Sequence, residues 1–96
     1  MTEHAPSITV LVPGVLRDCC SGRSEVDLHA ANVRTLLSEM ERIFPRLYLN
    51  ICDETGAVRR HVNLFINTHN MRDCAGLDTP LNQADVVTIL PAVSGG

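Results

Sequence analysis

The chain has 96 residues, enough for one hydrophobic core and too few for two. Hydrophobic residues make up 45% and the formal net charge is -3, a balance that argues for a folded body and against a wholly disordered chain. All the cationic side chains are arginines and the balance is mildly acidic, so the clustered positive footprint of a nucleic-acid binder is not expected. Residues Met1 to Ser7 carry Glu3, no basic cluster and no long apolar run; neither a secretory signal nor a membrane span is expected, and the expected location is the cytosol. In that reducing compartment Cys19, Cys20, Cys52 and Cys74 are expected as free thiols.

Ile8 to Val12 is a β-branched apolar run stopped by Pro13 and Gly14, which predicts a first strand buried on both faces. Ser24 to Leu28 alternates, Val26 and Leu28 against Glu25 and Asp27, and predicts a second strand with one wet face. Ser21 and Gly22 mark the hairpin turn between them. From about Ala31 to Phe44, Val33, Leu36, Leu37, Met40, Ile43 and Phe44 recur at helical spacing, which predicts an amphipathic helix with Asn32 as its cap and Pro45 as its stop. Asp53, Glu54, Thr55 and Gly56 read as a turn. In the run Val58 to Asn67, Val62, Leu64 and Ile66 share one face and Asn63, Phe65 and Asn67 the other, a third strand of period two. A turn-rich connector from Thr68 to Asp85, with room for one short strand, leads to a last strand, Val86 to Leu90, ended by Pro91.

The order ββαβ, connector, β gives an α+β domain, a mixed sheet of four to five strands packed on one main helix. The first and last strands are the most continuously apolar and are expected side by side at the centre. The predicted layout is a flexible N-terminus over 1–7, a β-grasp domain over 8–90 and a flexible tail over 91–96 ending in Gly-Gly.

Chemistry concentrates on that tail. A carboxylate is a poor acyl donor until ATP converts it to an acyl-adenylate, and an activating enzyme has to bring it through a narrow channel to the α-phosphate. Two glycines without Cβ atoms let the backbone make that approach, so Gly95 and Gly96 after Ser94 suit a tail worked on by another enzyme. Elsewhere no CxxC or HxxxH spacing supports a metal, and no nucleophile with a base or phosphate loop supports an independent enzyme. Cys19 and Cys20 are expected as exposed bystander thiols, with a redox or sulfur-relay pair as the alternative; Cys52 and Cys74 are expected to be partly buried. Arg59, Arg60 and His61 open the third strand with positive charge and Arg72 follows it, so Arg60 and Arg72, with an outward Phe65, are the candidate docking residues for an acidic partner.

The blocks Pro13-Gly14-Val15-Leu16-Arg17, Arg60 to Asn67 and Val87 to Gly96 resemble the ubiquitin-like sulfur carriers of the MoaD/ThiS type, and within them the cysteine-biosynthesis (CysO-like) carriers. The last block is the specific one. The resemblance implies that an E1-like enzyme uses ATP to adenylate Gly96, that sulfur then replaces a carboxylate oxygen to leave a covalent thiocarboxylate, and that a sulfur-accepting biosynthetic enzyme receives it. Pro91, Ser94 and Gly95 would be read by the activating enzyme, no cofactor would be resident, and in some such carriers a metalloprotease trims residues beyond the two glycines. A small subunit of molybdopterin synthase and a ubiquitin-like protein modifier are the alternatives. Two positions depart from the pattern: Ser94 stands where alanine is common, and Gln83-Ala84-Asp85 replaces the usual glycine-aspartate turn before the last strand.

Overall fold

The computed structural model describes residues 5–91. Of the expected tail it contains Pro91 alone; Ser94, Gly95 and Gly96 lie outside the described residues. The strands are β1 (Ser7–Leu11), β2 (Glu25–His29), β3 (Val62–Ile66), β4 (His69–Asn70) and β5 (Val86–Pro91), in the sheet order β2-β1-β5-β3-β4. β1 and β5 run parallel at the centre, Thr9 opposite Val86 and Leu11 opposite Thr88, and β5 pairs antiparallel with β3 from Val62↔Pro91 to Ile66↔Val87. With its main helix on one face, this mixed sheet is the ubiquitin-like β-grasp fold.

Helix α1 (Val33–Ile43) forms where the apolar spacing placed it. Asn32 caps it, its side-chain Oδ1 accepting from the Thr35 N–H at 2.8 Å, and Val33, Leu36, Leu37 and Met40 are buried against the sheet. Pro45 does end α1, but it also begins a second helix, over a stretch to which the sequence pattern assigns no element. In α2 (Pro45–Ile51) the proline occupies the first turn, where its missing N–H costs nothing, and Leu47 and Ile51 are buried. β1 and β2 do pair as an antiparallel hairpin that turns at Ser21 (φ 60) and Gly22, but their connection also holds a 3-10 segment, Gly14–Cys20.

Burial corrects one expectation directly. β1 is not covered on both faces: Ile8 and Val10 are buried, Thr9 is half-buried and Leu11 is exposed, and β5 repeats the alternation with Val87 and Ile89 inside. Both helices lie on the side of the sheet that carries Ile8, Val10, Leu64 and Ile89, and the other side is built from Thr9, Asn63, Phe65 and Thr88. Central strands therefore keep period two.

The turn into β5 explains the departure at Gln83-Ala84-Asp85. Ala84 has φ 71, the left-handed region that a Cβ disfavours, while its N–H is held by the Ser7 carbonyl at 2.9 Å and Ser7 N–H donates to Gln83 Oε1 at 2.9 Å. A glycine here would adopt the same backbone without strain. Ala84→Gly is expected to raise the unfolding free energy by about 0.5 to 1 kcal/mol, read as a higher urea midpoint at unchanged slope. A lower midpoint would mean that the left-handed turn is not strained.

Candidate functional site

The pairing Val62↔Pro91 and Asn63↔Leu90 fixes where the chain leaves the sheet: at the end where β3 begins and where β1, parallel to β5, stops. Three segments border this exit. Gly14–Cys20 follows β1, residues 58–61 precede β3, and Met71–Asp73 follows β4. The residues 58–61 are tied down: Val58 bridges to Cys52, the Arg59 N–H donates to the Ile51 carbonyl at 2.9 Å, and the Val62 N–H donates to the Arg59 carbonyl at 3.0 Å.

Of the predicted docking residues, Arg72 is the most firmly held. Its Nη1 donates to Asn63 Oδ1 at 2.6 Å and its Nη2 to the Arg59 carbonyl at 3.0 Å, while its own backbone N–H donates to Asn70 Oδ1 at 2.9 Å. Asn70 Nδ2 donates to the same Asn63 oxygen at 3.2 Å. Asn63 and Asn70 are the residues that sequence reasoning missed as parts of this arrangement. The signal was present only in hindsight: an asparagine on each side of the β3–β4 turn, meaningful once the register sets Phe65 opposite Asn70. Arg60 is exposed and joins no side-chain hydrogen bond among the described residues.

Phe65 lies on the face assigned to it, opposite to buried Val62, Leu64 and Ile66, but it is half-buried and not open. It shares a row across the sheet with Thr88 and Leu11, since Thr88 pairs with both. Leu11 and Leu90 on the same face are 38% and 45% exposed, so this end of the open face offers apolar surface.

The thiols sort differently from expectation. Cys20 is buried, its Sγ 3.4 Å from the Arg23 carbonyl, and Cys19 is half-buried beside Asn50 Nδ2 at 3.5 Å, so the adjacent pair does not present two exposed thiols. Cys74, expected inside, is exposed, because Met71–Asp73 turns it away from the core that Met71 enters. Cys52 is fully buried, and burial, with the charge of Asp53 adding to it, pushes its thiol up to about 11. Asp53 is the turn residue it was read as: its Oδ1 accepts from the N–H groups of Thr55 and Ala57, and bonds to Thr55 hold its carboxyl below the usual range. Among the described residues no group of three or more His, Cys, Asp or Glu side chains is placed to hold a metal, and no helix is long and apolar enough to cross a membrane. A cavity of about 230 Å³ lined by Leu37, Tyr48, Thr55, Gly56 and Leu77 opens on the helix side, away from the exposed face.

These environments order the thiols by reactivity. With iodoacetamide at pH 8, Cys74 is expected to be alkylated first and Cys19 next, with Cys52 protected until unfolding, since only about a thousandth of a thiol near 11 is thiolate at that pH. Peptide mapping of a time course measures the order. Early labelling of Cys52 in the native protein would contradict its burial.

Known proteins share this fold and part of the sequence. The "Sulfur carrier protein CysO" of Mycobacterium tuberculosis is 32% identical over 92 residues, covering 94% of this chain and 99% of the relative. The crystal structure of the Amycolatopsis orientalis BexX/CysO complex contains a chain 29% identical, with TM-score 0.85 and coverage of 93% of this chain and 99% of that one. The solution structure of small archaeal modifier protein 1 from Methanosarcina acetivorans is 31% identical, with TM-score 0.80 and coverage of 99% and 100%. By name these relatives are sulfur carriers and a small modifier protein. The sequence model of the ThiS family matches residues 10–96, nearly the whole chain, and the protein belongs to that family.

Proposed function

We propose that this sulfur carrier works through the carboxylate of Gly96, activated by an E1-like enzyme and converted to a thiocarboxylate whose sulfur goes to a biosynthetic enzyme making cysteine or a related sulfur metabolite. The single observation that carries the reading is the coincidence of the Ser94-Gly95-Gly96 ending with a β5 whose last residue, Pro91, sits at the open end of the sheet. The carboxylate attacks the α-phosphate of ATP and releases pyrophosphate; a sulfide sulfur then attacks the acyl carbon and AMP leaves, so a C–S bond replaces the C–O bond to phosphate. The folded body performs none of these steps; it presents the tail and is gripped while partner enzymes act.

Support for the cysteine branch comes from the mycobacterial relatives, named sulfur carrier CysO. Support for partner docking comes from the Amycolatopsis carrier, which is in complex with BexX. A second reading, attachment of the activated tail to protein amines, is favoured by the 31% identity with an archaeal modifier protein. The two share every step up to the acyl-adenylate and part at the acceptor.

Incubation with the E1-like enzyme of the same genome, ATP and sulfide is expected to add the mass of one oxygen-to-sulfur replacement, mapping to Gly96. The gain should vanish without ATP and on deletion of Gly96, and should persist when all four cysteines are changed to alanine, which keeps Cys20 and Cys52 apolar in the core. Sulfur found on Cys19 or Cys74, surviving loss of Gly96, would replace the carboxylate mechanism by a thiol relay; an amide-linked conjugate would favour the modifier.

A further inference from the structure

Among the described residues, five of the eight arginines are anchored through their side chains, in two ways. Arg34 and Arg42 are neutralised in ion pairs, with Asp78 at 3.1 Å and Glu39 at 2.7 Å. Of the four that border the sheet exit, Arg60 is unanchored among the described residues, and Arg17, Arg59 and Arg72 are pinned to the protein's own carbonyl or amide oxygens. Arg17 Nε donates to the Val12 carbonyl at 3.1 Å, Arg59 Nε to the Leu49 carbonyl at 3.1 Å, and Arg72 spends both Nη1 and Nη2 on Asn63 and the Arg59 carbonyl. Among the described residues none of the three closes an ion pair, although Asp18 and Asp73 follow Arg17 and Arg72 in the chain.

The mode of pinning matters. Holding Arg17 and Arg59 through Nε leaves the outer edge of each guanidinium, Nη1 and Nη2, without an acceptor among the described residues. That edge is a two-donor fork matched to a carboxylate, and fixing it beforehand removes much of the side-chain entropy otherwise lost on pairing. We propose that Arg17 and Arg59 are preformed carboxylate receptors flanking the root of the tail, and that they dock an acidic rim around the entrance to the activating enzyme's nucleotide site, with Arg72 as the positioning residue that holds the Arg59 loop. The proposal rests on the carrier reading above. The exposed Leu11 and Leu90 lie at the same end of the sheet, on its open face.

The test uses the full chain and the E1-like enzyme of the same genome, following ATP–pyrophosphate exchange as a function of carrier concentration. Arg17→Gln and Arg59→Gln are each expected to raise KM about tenfold with kcat within about twofold, and Arg72→Gln to behave like Arg59→Gln. Added salt should raise the KM of the wild type and leave that of the Arg17→Gln/Arg59→Gln double variant nearly unchanged. Arg59→Lys keeps the charge and loses the fork, so it should resemble the glutamine variant. Arg34→Gln and Arg42→Gln should match wild type. Wild-type behaviour of Arg59→Lys, or equal KM effects at Arg34 and Arg42, overturns the proposal. If the intact wild type supports no exchange, the carrier reading fails by itself, and the receptors are then read by nuclear magnetic resonance with hexaglutamate. In that titration the Arg17 and Arg59 Nε–Hε signals should shift, and hexalysine should leave them in place. Absence of those shifts, or tighter binding of an RNA oligonucleotide than of hexaglutamate, overturns a carboxylate-bearing partner.

Discussion

Everything else in this molecule hangs on the parallel pairing of β1 with β5. Two strands far apart in sequence have to meet in register, Thr9 with Val86 and Leu11 with Thr88, and every intervening element is placed by that closure. β2 folds back on one side as a hairpin, β3 fills the other side, and α1 crosses the face between them. Because the neighbours are parallel, the end of β1 and the end of β5 lie at the same edge. The 3-10 segment after β1 and the arginine loop before β3 are thus brought to the root of the tail by the pairing rule alone.

The sheet is insulated on one face only. Helices α1 and α2 remove Ile8, Val10, Leu64 and Ile89 from water, and the opposite face has to remain compatible with it, which is why Thr9 and Thr88 occupy the central strands there. Against that background of small polar residues, Leu11, Phe65 and Leu90 are conspicuous. Their presence on this face is not required by the core, which is built from the opposite face. A requirement from outside the fold is the simpler account, and the proposed docking supplies one.

How much of this was legible in the sequence depended on length and period. α1 showed itself because six apolar positions recur along a single stripe. α2 did not, because seven residues give too few repeats and because Pro45 was read only as a stop when it is also a good start. The segment Gly14–Cys20 has no periodic signature of its own, and β4 is two residues long. β1 was misjudged from its continuous β-branched run, where Thr9 in the middle already marked the wet face. At the site, Arg72 and Phe65 were visible as residue types in roughly the right place. The Asn63–Arg72–Arg59 arrangement was not, since it exists only once β4 brings residue 70 beside residue 63. The cysteines erred by opposite amounts for the same reason: burial of Cys20 and exposure of Cys74 are set by which way short 3-10 turns face, and such turns leave little trace in sequence.

The central position of β5 also has a mechanical side. The strand is bonded to β1 over Val86–Thr88 on one side and to β3 from Val87 to Pro91 on the other, and the directions of β1 and β5 place Ser7 and Pro91 at opposite ends of the pair. A pull on the tail from the exit end therefore loads both ladders in shear. The bonds have to yield together and cannot be peeled one at a time, as they could be in an edge strand such as β4. Load applied at Pro91 is then shared across its neighbours, and the sheet resists as a unit.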